Sequence, residues 1–278
     1  MVLSENKSSL LFKDIDLDTF SNSFVPYLYL DGHRSSNMGN TDLEKYGSGF
    51  RFFLRFGKAM QNLGFKQLVI MVHTSRNCFL RERLNAIISA IRENFDISNS
   101  YLNNSRFKLY GDLESYKTMG HTDFFNFISK INNDNHGDYS FTHHILINYS
   151  ENWALNNLEQ IRQMPDISSI IRFTKGFVSG GWIPEKMQET IFIYSQIPSV
   201  SEFWSDEALE ALIYISLQNW SLMKQYIGKK EYTNSEKVLI HTERDVNLKF
   251  STTRLHINNL MHNRIIAFGV DGPIIYEL

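Results

Sequence analysis

The sequence predicts an α/β protein with a mostly parallel six-stranded sheet and helices on both faces. Three observations lead there. Short apolar runs alternate about six times with longer stretches whose apolar residues recur every three or four positions. That alternation is the pattern of a parallel sheet covered by helices. The 278 residues are 42% hydrophobic and 21% charged, which suits a globular chain and excludes a disordered or low-complexity one. Finally, 21 Phe and 13 Tyr bring the aromatic content to 14%, enough for a large core or a greasy pocket.

The elements follow in order. Phe24–Leu30 (FVPYLYL) reads as a buried strand, broken by Asp31-Gly32. Ser48–Leu63 reads as a helix, with Phe52, Phe53, Phe56, Ala59, Met60 and Leu63 on one side and Gly64 as its stop. Lys66–His73 is a second strand. Phe79–Phe95 is a helix, with Leu80, Leu84, Ile87, Ile88, Ile91 and Phe95 spaced by threes and fours. Phe107–Tyr110 is a short strand closed by Gly111-Asp112, and Asp123–Ile131 reads as a helix. Phe141–Asn148 and Ile167–Phe173 are strands flanking a helix over Trp153–Gln163. Glu189–Ser195 is the last core strand and Trp204–Ile227 a long helix. Strand-like pieces at Ile265–Val270 and Ile274–Glu277 suggest a hairpin or a terminal appendage. This divides the chain into a lead over residues 1–22, an α/β domain over 23–232 and an appendage over 233–278.

Composition narrows the function. A net charge of −2 offers no basic excess to attract nucleic acid or an anionic membrane. The single cysteine, Cys78, excludes a disulfide framework and a thiolate zinc cluster. No signal peptide is evident and no run approaches the roughly 20 apolar residues of a membrane span, so a cytoplasmic location is expected. HExxH, Walker A and GxGxxG motifs are absent, which leaves zinc hydrolase, P-loop and dinucleotide readings without support.

Ligands of such sheets sit at the carboxyl ends of the strands. Those ends are expected to carry polar groups: Asp31-Gly32-His33-Arg34, Thr74-Ser75-Arg76-Asn77, Gly111-Asp112, Asn148-Tyr149-Ser150-Glu151-Asn152-Trp153, Arg172 and Glu189. In this order and spacing the chain resembles the cis-prenyltransferase (undecaprenyl diphosphate synthase-like) family. The family's D-G-N-x-R-W is similar to Asp31–Ser36, its S-x-E-N-W to Thr74–Cys78, and its I-G-D to Tyr110-Gly111-Asp112. Its N-Y-G-G-R-W is similar to Asn148–Trp153, its I-R-T-G-G-E begins like Ile171-Arg172, and its A-E-L-Y-F looks like Gln188–Phe192. The resemblance covers roughly Val25–Gly228.

The resemblance implies a site. Asp31 would bind Mg²⁺, with Glu189 as a second metal ligand, and the backbone of Gly32 with His33 and Arg34 would cradle an allylic diphosphate. Thr74 and Asn77 would assist diphosphate binding or proton removal. Arg172 would hold a second diphosphate through its planar fork. Phe52, Phe56, Leu84, Ile88 and Ile91 would wall a prenyl tunnel; read alone, they are core. His143-His144 alternate across a strand and read as packing residues, as do Tyr149 and Trp153 at a helix start.

The departures matter as much. Ser35-Ser36 replace an R-W pair, Tyr46 stands at the family's histidine, and Phe173–Trp182 contains no arginine, only Lys175 and Ser179 as stand-ins. The C-terminal R-R-F-G becomes Lys224–Gly228, again without arginine. The half that ionises the allylic substrate is better kept than the half that binds isopentenyl diphosphate. The expected activity is therefore Mg²⁺-dependent ionisation of an allylic prenyl diphosphate, followed by irregular coupling or terpene-synthase-like cyclisation rather than chain elongation. The alternatives are an ordinary short-chain cis-prenyltransferase or a non-catalytic partner subunit of one. The resemblance further implies a homodimer, for which Trp204, Leu209, Leu212, Ile213 and Leu217 offer an apolar helix face, and peripheral membrane contact only if the product is long.

Overall fold

A computed structural model describes residues 10–13, 15–30, 41–75, 81–94, 104–118, 139–173, 181–195, 197–199, 204–227, 264–269 and 272–277, with isolated positions between 122 and 132 and between 233 and 238. Six parallel strands form the centre: β1 (Pro26–Tyr29), β2 (Gln67–Thr74), β3 (Ser105–Tyr110), β4 (Phe141–Tyr149), β5 (Ser169–Arg172) and β6 (Ile191–Ser195). The expected six-stranded parallel sheet is thus observed. Beside β6, β7 (Arg264–Gly269) and β8 (Gly272–Glu277) add an antiparallel hairpin, giving the order β3-β4-β2-β1-β5-β6-β7-β8. The chain steps outward from β1 to β2 on one side, then returns past β1 to β5 on the other. The switch between these two directions falls at β1 and β5, where an open sheet forms its crevice.

The helices show how the sequence makes this frame. A helix over Leu17–Phe20 (α1) precedes β1, and α2 (Asp42–Asn62) follows it. α2 starts six residues before the expected Ser48. Thr41 accepts from the Glu44 N–H while Glu44 accepts from the Thr41 N–H, and this reciprocal cap carries the helix through Gly47 and Gly49. It ends as expected at Gly64, whose φ of +88° few other residues adopt readily. α3 (Arg81–Asn94) follows β2, and α4 (Leu113–Thr118) follows β3.

The helix expected over Trp153–Gln163 is instead two, α5 (Glu151–Asn156) and α6 (Leu158–Arg162). Asn157, at φ −130° and ψ 40°, breaks them, and its side-chain amide donates back to the Trp153 carbonyl in competition with the backbone ladder. α7 (Asp206–Ile227) is the long last helix. The helix expected over 123–131 falls largely outside the described residues, although Phe125, Asn126, Ile128 and Ser129 are helical.

Alternation along the strands divides the core into two. On one face Leu28, Ile70, Ile145 and Ile171 pack under α2, α3 and α7; on the other Tyr27, Val69, Leu146 and Ile170 pack under α5, α6 and the segment around Ile183. The apolar face of α7 faces inward. Trp204, Leu209, Leu212, Ile213 and Leu217 are all buried in the first core, so this face does not serve as the surface for a second copy. Its apolar spacing signals the protomer's own interior.

His143 and His144 point to opposite faces, as their adjacency requires. His143 stacks on Phe107 at 4.7 Å. On the other face, the Tyr110 hydroxyl donates to His144 Nδ1 and Nε2 faces Gln67 Oε1, each at 3.1 Å. Both are packing residues in this fold. Burial holds both imidazoles down at about 3, with His144 also repelled by Lys108 and Arg106.

Candidate functional site at the carboxyl edge

Parallel pairing brings the ends of β1 and β5 side by side, Tyr29 opposite Arg172. Each end splits its chemistry between the two faces. Arg172 turns toward Tyr29, its guanidinium carbon 3.9 Å from the ring centre, on the α5–α6 side. The next residue, Phe173, turns the other way and meets Phe52 edge-on at 4.9 Å. Leu30 likewise follows Tyr29 into the first core. A cationic group and an apolar aromatic cluster therefore begin at the same strand ends.

Arg172 is only 4% exposed, which is unusual for an arginine and marks a built position rather than a surface charge. Thr74 ends β2 and lies half-buried on the same edge, in register with Tyr149. Arg172 and Thr74 thus both stand at the carboxyl edge of the sheet, beside the end of β1. Asp31, Gly32, His33, Arg34 and Asn77 lie outside the described residues.

Phe52 and Phe56 stack at 6.1 Å and join Phe173 and Trp204 in the first core; Ile88 and Ile91 are buried in that core from α3. Leu84 lies on α3, and its side chain is outside the described set. Four of the five expected tunnel residues therefore share one apolar body beneath the carboxyl edge.

Glu189 does not belong to this edge. It precedes β6, level with the start of β5, and forms an ion pair with Lys224. Together with Val25, Ser168 and Trp220 it lines a cavity of about 740 Å³ at the amino-terminal edge of the sheet. Its expected role as a metal ligand beside Asp31 is corrected accordingly. Within the chain Glu189 stands at the opposite end of the strands from Tyr29 and Arg172, whereas Mg²⁺ holds its oxygens at about 2.0–2.1 Å. No group of three or more His, Cys, Asp or Glu among the described residues is arranged to hold a metal ion.

The other strand ends are structural. Asp112 accepts from the backbone and hydroxyl of Ser115 and so starts α4. Gly111, at φ +136°, lies so close to the Ile147 carbonyl that a Cβ would overlap it. The Asn148 side chain donates to the Asp112 carbonyl at 3.0 Å, tying the ends of β3 and β4 together. Ser150 caps α5 by accepting from the Trp153 N–H.

Sequence reasoning passed over Tyr27, Tyr29 and Gly181. Gly181 is held against the tyrosines: its carbonyl accepts from the Tyr27 hydroxyl at 3.1 Å and its N–H donates to Glu151 Oε1 at 2.7 Å. The Tyr149 hydroxyl donates to the neighbouring Trp182 carbonyl, and burial, with some repulsion from Glu151, raises its pKa. The available signal was the alternation in FVPYLYL, which puts Tyr27 and Tyr29 on one face of β1.

No protein-family model matches the sequence, and no curated protein matches it by sequence. Solved structures do match. Lavandulyl diphosphate synthase from Lavandula x intermedia, in complex with dimethylallyl diphosphate, superposes with a TM-score of 0.55 at 14% identity, over 69% of this chain and 94% of that one. A probable undecaprenyl diphosphate synthase from Campylobacter jejuni superposes with a TM-score of 0.53 at 12% identity, over the same shares of the two chains. The fold is therefore that of the cis-prenyltransferases, as the resemblance of the strand ends implies. No described helix is long and apolar enough to cross a membrane.

Proposed function

We propose that the protein binds an allylic prenyl diphosphate at the carboxyl ends of β1 and β5, ionises it, and couples the cation irregularly or cyclises it. The observation that carries this reading is the placement of Arg172, which would hold the second diphosphate: a buried guanidinium at the switch point of the sheet, beside the end of β1 and one residue from an apolar aromatic cluster. A diphosphate needs a planar, permanently charged partner, and its prenyl tail needs an apolar body at the same end. A structural neighbour crystallised with dimethylallyl diphosphate supports the substrate class.

In this proposal Gly32, His33 and Arg34 hold the allylic diphosphate, Thr74 and Asn77 border it, and Phe52, Phe56, Leu84, Ile88 and Ile91 receive the tail. Mg²⁺ enters through Asp31 alone, since one carboxylate with substrate phosphate oxygens is an ordinary Mg²⁺ set. When bound, it neutralises charge on the departing diphosphate. The preference for a non-elongating outcome rests on Arg172 standing without a second arginine of the expected set. It is supported by Lys224, at the family's C-terminal arginine position, being engaged by Glu189 at the opposite edge. A homodimer stays in the proposal, on a surface other than the α7 face.

The test is incubation with Mg²⁺ and a panel of allylic diphosphates, with and without isopentenyl diphosphate, read by mass spectrometry. A product from the allylic substrate alone is expected. No consumption of any allylic diphosphate would leave the non-catalytic partner reading in its place.

A further inference from the structure

We propose that Tyr29 is a positioning residue that fixes the Arg172 guanidinium for a diphosphate at the carboxyl edge; this rests on the reading of Arg172 as a diphosphate ligand. The β1–β5 register sets the two residues opposite one another on one face of the sheet. The guanidinium carbon lies 3.9 Å from the ring centre, at contact distance for a cation over an aromatic face. A stacked guanidinium directs its N–H groups within its own plane, where they can meet two phosphate oxygens at once. The ring carries no charge, so it holds the cation without competing with an anion. A long side chain held this way also loses less freedom when the ligand binds.

The ring is itself held. The bare Cα of Gly181, at φ +74°, lies against the Cε2–Cδ2 edge of Tyr29, and a Cβ there would collide with that edge and reach within 2.9 Å of the Tyr27 hydroxyl. Bonds from Tyr27 and to Glu151 pin Gly181, and the Tyr149 hydroxyl pins Trp182. One buried and two part-buried polar contacts thus fix Gly181 and its neighbour, and the glycine's lack of a side chain leaves room for the ring. No general feature of an α/β sheet requires that arrangement, and it converges on the orientation of one arginine.

The test is calorimetric titration of the full chain with inorganic pyrophosphate, with thermal unfolding to check each variant. Arg172→Ala weakens binding tenfold or more, the loss of a charge-assisted hydrogen bond. Tyr29→Phe, which keeps the ring, stays within about twofold of the parent. Tyr29→Leu weakens binding about three- to thirtyfold. In the Arg172→Ala background Tyr29→Leu has no further effect, a coupling that general damage to the fold would not produce. Parent-like binding by Tyr29→Leu, or the same loss with and without Arg172, overturns the positioning role while the diphosphate reading stands. Unchanged binding by Arg172→Ala, or none by the parent chain, overturns the diphosphate reading and the positioning role with it. Gly181→Ala displaces the same ring edge and supplies the same comparison where Tyr29→Leu does not fold.

Discussion

Arg172 ends its strand and Glu189 precedes the next, and that difference decides which of them can share a ligand with the loop after β1. Strand direction alone carries the point: parallel strands present their last residues to one edge and their first to the other. Glu189 stands at the start of a strand in the sequence itself, so its place at the amino edge was legible there. The local likeness to A-E-L-Y-F obscured it. The expected outcome separates the two carboxylates. Asp31→Ala abolishes turnover, because in the proposed site it removes the carboxylate that would hold Mg²⁺. Glu189→Gln keeps turnover within about twofold, because its partner is Lys224 and its exposed pair contributes at most about 1 kcal/mol. Steady-state rates on one allylic diphosphate, with Mg²⁺ in excess, check both. A dead Glu189→Gln enzyme would return this residue to the site.

At the scale of elements, β4 carries an acid-sensitive device that its sequence announces as His143-His144. Both imidazoles titrate near 3 in the folded chain and near 6.5 when unfolded. Above pH 6.5 neither state binds these protons, so they do not tilt the equilibrium. As pH falls from 6.5 toward 3 the unfolded chain takes up protons that the folded chain refuses. Stability is therefore lost with acid over that window, on the order of 1 kcal/mol per histidine per unit. Urea unfolding at pH 7, 5.5 and 4 measures the slope, and His143→Phe, which keeps a ring against Phe107, reduces it. The turn after β3 gives a second expectation. Gly111→Ala forces a Cβ into the Ile147 carbonyl at a positive φ, and costs about 3 kcal/mol or more. A calorimetric midpoint unchanged by Gly111→Ala would contradict that geometry. Strands and long helices were legible because periods of 2 and 3.6 persist over many residues. The errors fell at ends and breaks. The Thr41-x-x-Glu44 cap is a pattern in the sequence, and it sets the start of α2 ahead of the apolar periodicity that begins near Ser48. The Asn157 break depends on one side-chain bond that periodicity does not register.

At the scale of the whole molecule, the order of the strands was not legible, because pairing partners are distant in sequence, yet the switch point it creates is what joins the candidate site. The core face of α7 was misassigned for a related reason: an apolar stripe looks the same whether it meets the protein's own sheet or a second copy. The fold now frames the question of the second substrate. Among the described residues one arginine, Arg172, is buried at this edge, and the lysine at the position of the C-terminal arginine motif is tied to a carboxylate at the other edge. Each missing charge-assisted bond is worth about 1.5–3 kcal/mol, so two missing bonds imply roughly a hundredfold or more in affinity. Isopentenyl diphosphate is therefore expected to extend no chain when supplied with dimethylallyl or farnesyl diphosphate at concentrations near the KM of the allylic substrate. Adding it should leave the product spectrum unchanged in carbon number. A ladder of linear products growing by five carbons at a time would show an intact second site. Lys175, or cations of the C-terminal segment such as Arg254 or Arg264, would then be the first residues to substitute.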